Sequence, residues 1–498
     1  MSVPVKFKSA EPAVFHARMW LALAFLLPNL GALGCGFVLD DITEIVTNPA
    51  LHVHSLYQVA HIWAESYWPG GAFQLYRPVS QTLWAILWSV SEGLNSGQAI
   101  LFHAVGLALG LTVVLLFYRF LIAVQASPRI AFIAAALFAL FPIHTEATTS
   151  VVGSAELLAA AFGLGSMLCY YRHRPITALI LFALAVFSKE SAAAFAALPL
   201  VFPRKDWRDR DSLFAACGAV GVIAAALVLH HAIAGPSQSI SWGDNSIVLV
   251  QGVPRILTAL WVQCLYLSKT LVPITLSADY TFNQIPLVMG FGDWRAWAAM
   301  TLIGGAFFLA IRYRQFRAPI LAYAILFSPT ANILFPIGTL MGERLAYAPS
   351  LAFALFSALL LAQCRHWKII LVTVALIFSV RTAVRNLDWL DWQAICSKTA
   401  ETSPKSVKVN TYVGAMRWAS GDYLGAVEAY DHAIEVLPSY ARPYCARGMV
   451  LANVGRRSDA LADFETCMRL DGYRFPMPSA VREYVEQKNQ FPHRYFRP

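Results

Sequence analysis

The residues most suited to chemistry are an adjacent pair of carboxylates, Asp40 and Asp41, which directly follow the apolar run 20–39. Two neighbouring acids at the edge of an apolar segment are costly to desolvate, and they bind and release protons as one unit. Ionisable groups at the end of a membrane span usually have a functional reason to be there. The pair therefore predicts an active site at the surface of a bilayer.

Further ionisable residues lie at the ends of other apolar runs. They are His144 with Glu146, Lys189 with Glu190, and Glu343 with Arg344. Each has an ordinary interpretation as a local ion pair, an interhelical tie or an interface residue. Since the expected topology puts all of them on the side of the aspartate pair, we predict that they converge on one site.

The composition indicates the class of protein that must position these residues. The chain of 498 residues is 58% hydrophobic and 13% charged, with 31 Phe and 14 Trp, which is typical of a polytopic membrane protein. Apolar runs long enough to cross roughly 30 Å of hydrocarbon predict about ten to twelve spans, depending on whether 176–202 is a hairpin of two short helices. The runs lie near 19–39, 99–118, 130–143, 155–171, 176–202, 212–234, 255–273, 294–311, 318–337, 345–363 and 367–384.

The net charge of +9 follows the membrane topology and does not indicate nucleic-acid binding. Basic residues cluster before the first run and between later ones, as in the segments 204–210, 312–317 and 365–368, which we expect to be cytoplasmic. The acidic loop 40–98 should then face outward. Alternating the spans between 204–210 and 312–317 gives the wrong parity, so either 255–273 does not cross fully or a boundary is misplaced.

The outward loop 40–98 is too long for a simple connector. It contains the aromatic cluster 63–68, the tripeptide 76–78 and an amphipathic stretch at 79–92. Amphipathic segments with Trp at the interface suggest helices that lie on the membrane surface. Such a platform could hold a lipid-linked ligand.

The composition changes beyond residue 384, and a period of 34 begins at Pro404. It pairs Pro404 with Pro438, Gly414 with Gly448, Gly421 with Gly455, Ala426 with Ala460, and Tyr430 with Phe464. This is the tetratricopeptide period, and we expect two repeats followed by a capping helix at 479–489. Basic and aromatic residues on the first helices predict either a partner groove or an ordinary solvated face; they are Arg417, Trp418, Arg442 and Tyr444. The eight scattered Cys predict neither a zinc site nor a disulfide framework.

Several short motifs occur in an order that is typical of one family. They are Phe37–Asp41 with Asn48–Pro49, Tyr76–Pro78, Phe102–His103, His144–Glu146, Val152–Glu156, Lys189–Glu190 and Glu343–Ser350, followed by Arg385–Asn386 and the repeats. Over nearly its whole length the chain resembles the transmembrane and tetratricopeptide-repeat O-mannosyltransferases of the GT-C glycosyltransferase superfamily. It departs from that family at Gly106, Phe141 and Ser154, and in having only two repeats. The short tail resembles a bacterial relative.

The resemblance implies an all-α polytopic membrane protein with a GT-C type transmembrane domain and a C-terminal tetratricopeptide-repeat α-solenoid. The implied domains are a cytoplasmic N-terminus at 1–18, a catalytic domain at 19–385, a linker at 386–403, repeats at 404–472, and a capping helix and tail at 473–498. The implied activity moves a mannose-like hexose, with inversion, from a polyprenyl-phosphate donor to an acceptor hydroxyl of proteins. The implied location is the inner membrane, with the active site and the repeats on the periplasmic face.

The resemblance also assigns roles to residues. Asp41 or Asp40 is the expected general base, with Asp41 favoured. Arg344, Lys189 and Arg77 are expected at the donor phosphate, Arg344 first because a guanidinium binds phosphate oxygens bidentately. Sugar or acceptor binding is expected of His144, Glu146, Glu156, Glu190, Glu343 and His103. A divalent metal on Asp40, Asp41, His144 and Glu146 is an alternative, but related enzymes resemble metal-independent ones, so no cofactor is expected.

The expected partners are the lipid-linked donor, membrane lipid and an acceptor protein held by the repeats. A glycolipid or cell-wall polymer is the alternative acceptor. Two other classes remain open. A secondary transporter would carry its charges near mid-span and show symmetric halves. A non-enzymatic adaptor would present the repeats without needing the aspartate pair.

Overall fold

A computed structural model of the chain describes residues 10–68, 75–93, 98–204, 209–235 and 240–471. Every regular element in these ranges is helical, which confirms the predicted all-α class. The helices are α1 (Ala10–Asn29), α2 (Leu56–His61), α3 (Pro78–Gly93), α4 (Gln98–Ala123), α5 (Pro128–Leu140), α6 (Thr145–Thr149), α7 (Ser154–Tyr171), α8 (Pro175–Ser188), α9 (Leu198–Val201), α10 (Arg210–Ala234), α11 (Gly252–Leu271), α12 (Trp294–Arg312), α13 (Arg314–Phe327), α14 (Tyr347–Leu361), α15 (Trp367–Asp388), α16 (Trp392–Thr402), α17 (Val407–Ala419), α18 (Tyr423–Val436), α19 (Ala441–Asn453) and α20 (Arg457–Asp471).

Fewer helices are long enough to cross a membrane than the sequence predicts. Six in the described ranges have the length and apolar character of a span, or seven if α5 and the helical segment Pro142–Thr149, bent by 53°, form one broken span. These six or seven are counted by length and apolar character alone, and the shorter apolar helices Pro175–Ser188 and Glu190–Val201 lie beside them. Hydropathy alone does not show where a helix ends, and the run 176–202 breaks at Lys189 into two short segments, as the hairpin alternative predicted.

Helix α11 favours the alternative in which the run 255–273 does not cross fully. Between the basic clusters at 204–210 and 312–317, the described helices with the character of a span are α10 and α12. Because α11 carries Arg255, Gln263 and Lys269, it is not apolar enough to be counted. Two crossings return the chain to its starting side, which agrees with both clusters being on the same side.

The core of the membrane domain lies where α5 packs against α4 and α14. Nine of the residues 131–140 of α5 are buried, Phe132 being partly exposed, and five of the ten are alanine. Small residues allow helices to approach closely, as at Gly163 of α7, where an added Cβ would lie 2.8 Å from the ring of Phe195. This rigid centre holds the short helix α6 and the residues before α14 in fixed positions.

The outward loop forms a small core of its own. The amphipathic stretch is helix α3, which buries Trp84 and Trp88 against Ile45, Leu51 and other apolar residues of the loop. The opposite face exposes Ile86 and Val90. An exposed apolar face agrees with a helix at a membrane surface.

Helices α17–α20 form two antiparallel pairs at the positions that the 34-residue period marks. Within each pair a glycine faces an aromatic ring, since an added Cβ would lie 2.5 Å from Tyr430 at Gly414 and 2.8 Å from Phe464 at Gly448. The turns between paired helices have glycine at positive φ, +83° at Gly421 and +84° at Gly455. The predicted capping helix, like the tail, lies outside the described residues.

One expectation about cysteine is wrong. Cys445 of α19 and Cys467 of α20 form a disulfide. The spacing of 22 residues matches no motif, but pairing of the two helices brings the positions to a Cα–Cα distance of 5.4 Å. The spacing in the sequence therefore could not predict this disulfide, which depends on the packing of α19 against α20.

Candidate active site

Asp40, Arg344 and Glu146 form the centre of the site. Arg344 lies in the 3₁₀ turn Glu343–Ala346 before α14, and its Nη2 is 3.2 Å from Asp40 Oδ2. Its backbone N–H donates to Glu146 Oε2 of α6 at 2.9 Å, and its Nε lies 3.6 Å from Glu146 Oε1. The side chains of Asp40 and Arg344 are 31% and 33% exposed, whereas Glu146 is 6% exposed. Glu146 therefore orients a cation that solvent and ligands can reach.

The two aspartates differ sharply in environment. Asp41 is fully buried, and its carboxylate accepts hydrogen bonds from Val38 N, Ser150 Oγ and Val152 N. Burial raises the pKa of Asp41 to about 6, although the backbone hydrogen bonds act in the opposite direction. Burial also acts to raise the pKa of Asp40, but the positive charges of Arg344 and Lys408 outweigh it, so that this pKa lies below its usual value.

The backbone conformation directs the side chains of Asp40 and Asp41 to different partners. Leu39, directly before Asp40, has a φ of +51°, which a residue with a Cβ adopts only at some cost. Asp40 then faces Arg344, while Asp41 holds the backbone at Val152, at the start of the turn into α7. Strain of this kind is often found at functional sites.

Two further ion pairs lie beside this centre. Arg77 contacts Glu190 through Nε at 2.8 Å and Nη2 at 2.5 Å, and its guanidinium lies 5.0 Å from the centre of the Tyr67 ring. Lys189 pairs with Glu156, and both side chains are nearly buried. The charges of Arg77 and Arg344 both act on Lys189. The three predicted phosphate-binding cations therefore belong to one electrostatic cluster.

A small void of about 10 Å³ lies beside Glu156, between α7, α13 and α14. Apart from Glu156, Ser191 and Thr330, its lining is apolar and includes Phe195, Leu326, Leu345 and Pro349. The void is far too small for a sugar or a lipid chain.

Three of the residues predicted to bind sugar or acceptor contact other parts of the protein instead. Glu343 is fully buried, and its Oε1 accepts from Ser277 N at 2.7 Å and from Tyr280 Oη at 2.5 Å. His144 Nε2 bonds Ser350 Oγ at 2.7 Å within a cluster of aromatic rings. His103 is buried against the backbone at Gly36 and Thr149. These residues support the walls of the site.

The expected metal ligands are not gathered into one set. Asp41 binds the backbone and His144 binds Ser350, so neither points at the pair formed by Asp40 and Arg344. The group of potential ligand atoms that the described residues do bring together is exposed or half-buried and lies at the opposite end of α7: His173, Asp209 and Asp211.

The repeats lie against the aspartate turn, the residues Leu39, Asp40 and Asp41. Leu39 packs in one cluster with Trp392 of α16 and Tyr412 of α17. The positive charges of Lys408 and Arg442, both on the first helices of the repeats, act on Asp40. Of the predicted groove residues, Arg417 and Tyr444 bond within the repeats, to Gly425 O and Pro438 O.

The segment 277–283 fastens the repeats to the membrane domain. Ser406 Oγ, at the start of α17, donates to Asp279 Oδ1 at 2.6 Å, and Ser403 Oγ lies 2.8 Å from Ser277 Oγ. Because Ser277 N also binds Glu343, the network runs from the repeats to the residue next to Arg344. The position of the repeats is thereby fixed relative to the site.

Sequence reasoning missed several residues of this region. Arg385 is fully buried on α15 and lies 3.7 Å from Glu343 and 3.0 Å from Asp388. Asp279 and Lys408 form the link to the repeats, and Glu44 is a buried acid close to Asp40. Arg385 directly follows the apolar run 367–384 and belongs to the motif Arg385–Asn386, which was a usable signal, whereas Asp279 and Lys408 stand in polar segments that carry no such signal.

The comparisons with known proteins agree with this architecture. Residues 240–307, which include the fastening segment, match the family model described as protein O-mannosyl-transferase TMTC, DUF1736. The chain is 26% identical over 456 residues to protein O-mannosyl-transferase F38B6.6 of Caenorhabditis elegans, covering 87% of this chain and 64% of that protein. The predicted resemblance to the TMTC family is confirmed.

Other TMTC proteins are similar to the same extent. Protein O-mannosyl-transferase TMTC3 of Mus musculus is 25% identical, with 87% of this chain and 52% of the relative covered. Protein O-mannosyl-transferase TMTC1 of Homo sapiens is 25% identical, with 81% of this chain and 53% of that protein covered. The chain thus spans between about half and two thirds of the length of these relatives. No solved structure matches it. The bacterial origin stays a prediction.

Proposed function

We propose that this membrane protein transfers mannose from a polyprenyl-phosphate donor to hydroxyl groups of proteins. The observation that carries the proposal is the contact of a half-exposed carboxylate, Asp40, with a half-exposed guanidinium, Arg344, directly beside the docked repeats. The printed names of the TMTC relatives, protein O-mannosyl-transferases, supply the sugar and the class of acceptor.

The donor phosphate would bind Arg344 in place of Asp40. A guanidinium can bind two phosphate oxygens at once, and Lys189 and Arg77 add positive charge on one side. Binding of the phosphate would release Asp40 from its ion pair.

We assign the role of general base to Asp40, although the sequence pattern favours Asp41. The oxygens of Asp41 are buried and already accept three hydrogen bonds, so no acceptor hydroxyl can reach them in this conformation. Asp40 takes the proton of the acceptor hydroxyl, and the oxygen of that hydroxyl attacks the anomeric carbon. The bond from that carbon to the phosphate oxygen breaks with inversion, and Arg344 stabilises the departing lipid phosphate.

The repeats would present the acceptor next to Asp40, because α17 and α19 approach the aspartate turn. We place the site and the repeats on the outer face of the membrane. The disulfide between Cys445 and Cys467 supports this location, since disulfides persist in oxidising compartments. The periplasm and the inner membrane remain predictions.

The test is transfer by purified protein in lipid vesicles. Polyprenyl-phosphate carrying radiolabelled mannose is supplied with a secreted acceptor protein, and nucleotide-linked mannose is the comparison donor. We expect label on the protein with the lipid donor only, and loss of transfer in Arg344→Gln but not in Arg456→Gln, an exposed arginine of the repeats. Transfer from the nucleotide donor alone, or undiminished transfer by Arg344→Gln, would contradict the proposal.

A further inference from the structure

Helix α11 exposes an apolar face, although it is not one of the helices with the character of a span. The large side chains exposed along it are Val253, Ile256 and Leu271, and the segment that follows continues this face with Val272 and Ile274. At about 100° per residue, the three helical positions lie within about 60° of one another on the helix. The mechanism above gives this face no role.

The charged residues of α11 lie on its opposite side. Arg255 donates through Nε and Nη2 to the carbonyl oxygens of Asn332 and Ile333, at 3.3 and 3.2 Å. Lys269 donates to the carbonyl oxygen of Thr275. Both charged side chains are therefore bound to the backbone of the protein, and the polarity of α11 is the reverse of that of a surface helix in water.

Both halves of α11 bind the loop between α13 and α14. Arg255 binds the first part of this loop at Asn332. Tyr266 Oη donates to Gly342 O and accepts from Gly342 N, each at 3.0 Å. Since Asn332 Nδ2 itself donates to Leu340 O at 3.3 Å, the two attachment points belong to one compact loop. Helix α11 therefore runs along this loop.

The segments on either side of α11 meet each other and the repeats. Phe282 N donates to Gly243 O at 3.0 Å, and Phe282 O accepts from Val407 N of α17 at 2.6 Å. With 20 residues, α11 is about 30 Å long and could cross a bilayer. One flanking segment would then have to return through hydrocarbon as irregular, lipid-exposed backbone, which does not occur. The helix thus lies along the face of the membrane that carries the repeats.

The exposed face of α11 is continuous with the surface of a span. Trp261 of α11 packs against Trp294, the first residue of α12, with 5.2 Å between the ring centres. Trp294 and Trp297 are 68% and 59% exposed, and α12 has the length and apolar character of a span. Exposed Trp at the end of a span is typical of the boundary between lipid and water. The surroundings that this continuity gives to α11 are therefore lipid.

We propose that α11 is a membrane-surface helix, whose apolar face is immersed in the leaflet on the side of the active site. This inference does not depend on the proposed function. A helix of this kind lies about 5–10 Å into the boundary between headgroups and acyl chains. Because the other side of α11 holds Gly342 through Tyr266, the immersed helix would set the height of Arg344 relative to the lipid phosphates.

The depth of spin labels in lipid vesicles tests the proposal. Single cysteines carrying the label are introduced by Val253→Cys, Leu260→Cys and Leu271→Cys in full-length protein. In this protein Cys217, Cys264 and Cys364 are first replaced by serine. The matched control is the spanning helix α15, labelled at the exposed positions of Ile369→Cys, Leu376→Cys and Val384→Cys. Depth is read from collisions with oxygen, which concentrates in lipid, and with a water-soluble nickel complex.

We expect the three labels of α11 to lie at one shallow depth, about 5–10 Å below the headgroups. In α15 the label of Leu376→Cys should lie far deeper than the other two. A label of Leu260→Cys as deep as that of Leu376→Cys would show that α11 crosses the membrane. Frequent collisions with nickel alone would show a face in water, and rare collisions with both reagents a face covered by protein. Each of these three results would overturn the proposal.

The effect on Arg344 rests on the proposed function and has its own measurement. Ile256→Glu combined with Leu271→Glu should raise the KM for the lipid-linked donor by about tenfold, because charged groups resist immersion. The KM for the acceptor and the temperature of unfolding in detergent should not change. Leu424→Glu, at an exposed leucine of the repeats, is the control. An unchanged KM for the donor would show that α11 does not set the height of Arg344. Failure of the wild type to transfer would remove the proposed function and leave the depth measurement intact.

Discussion

Arg344 holds Asp40 through an ion pair of 3.2 Å while its own backbone N–H is bound by Glu146. The carboxylate and the cation that sugar transfer requires are therefore already in contact before a substrate arrives. A phosphate that binds the guanidinium must compete with Asp40, and this competition would couple binding of the donor to release of the base. In the proposed mechanism Glu146 is a positioning residue, and Asp40 and Arg344 are the groups that meet the substrates.

The interaction of Glu146 with Arg344 predicts non-additive kinetics. Arg344→Gln should lower kcat by about 10²–10³, the effect of losing one group that stabilises developing negative charge. Glu146→Ala should lower kcat less, because the guanidinium remains but is less well oriented. The double variant should resemble Arg344→Gln alone, as measured by steady-state transfer. Glu428→Ala, at an exposed position of α18, is the control, and strictly multiplicative losses would show that Glu146 acts independently.

Lys408 predicts a shift in pH dependence. Its charge contributes to the low pKa of Asp40, so Lys408→Gln should raise that pKa. As pH falls, kcat/KM should then decline at a higher pH than in the wild type, while the two enzymes agree at alkaline pH, where Asp40 is ionised in both. Lys398→Gln, an exposed lysine paired with Glu401, should leave the profile unchanged. Coinciding profiles for wild type and Lys408→Gln would show that the repeats do not influence the base.

Asp279 predicts that docking of the repeats can be weakened without damage to the membrane domain. Its Oδ1 accepts from Thr281 N, Thr281 Oγ1 and Ser406 Oγ, so Asp279→Ala removes a shared acceptor for buried groups at a cost of about 1–3 kcal/mol. We expect faster proteolysis before α17 and a raised KM for the acceptor, with an unchanged KM for the donor. Asp459→Asn, at an exposed site in α20, is the control. Unaltered proteolysis would mean that this network does not fasten the repeats.

The disulfide and the topology can be tested in one labelling experiment on intact cells. Cys364 is exposed beside the basic segment 365–368, which we place on the cytoplasmic side. A maleimide that cannot cross membranes should label Cys364 only after the cells are opened, whereas the buried Cys445 and Cys467 should react only once the protein has been unfolded and then reduced. Labelling of Cys364 from outside would reverse the orientation. Labelling of Cys445 without reduction would show that the disulfide is not formed.

The sequence predicted the class of the protein well because its signals are local. Hydropathy identified a polytopic membrane protein, and the spacing of 34 residues placed the pairs of Gly414 with Tyr430 and Gly448 with Phe464 in the packed helices. It also located Asp40, Arg344 and Glu146, which lie far apart in the chain and meet in the structure.

What the sequence could not supply depends on packing. The sequence does not distinguish the adjacent residues Asp40 and Asp41. Only the folded backbone shows that Asp40 is half-exposed and that Asp41 accepts a hydrogen bond from Val152 N. The disulfide between Cys445 and Cys467 requires the helix pairing. The bend of 53° that follows α5, inside the apolar run 130–143, is likewise not revealed by hydropathy.

The most direct measurement is single-turnover transfer from polyprenyl-phosphate mannose by Asp40→Asn and by Asp41→Asn, each compared with its own temperature of unfolding. We predict that Asp40→Asn slows transfer by about 10²–10⁴ and unfolds at the wild-type temperature. Asp41→Asn should unfold at a lower temperature, since it loses acceptors for buried backbone N–H groups, yet transfer sugar while folded. Undiminished transfer by Asp40→Asn, with loss of transfer in a folded Asp41→Asn, would contradict the account.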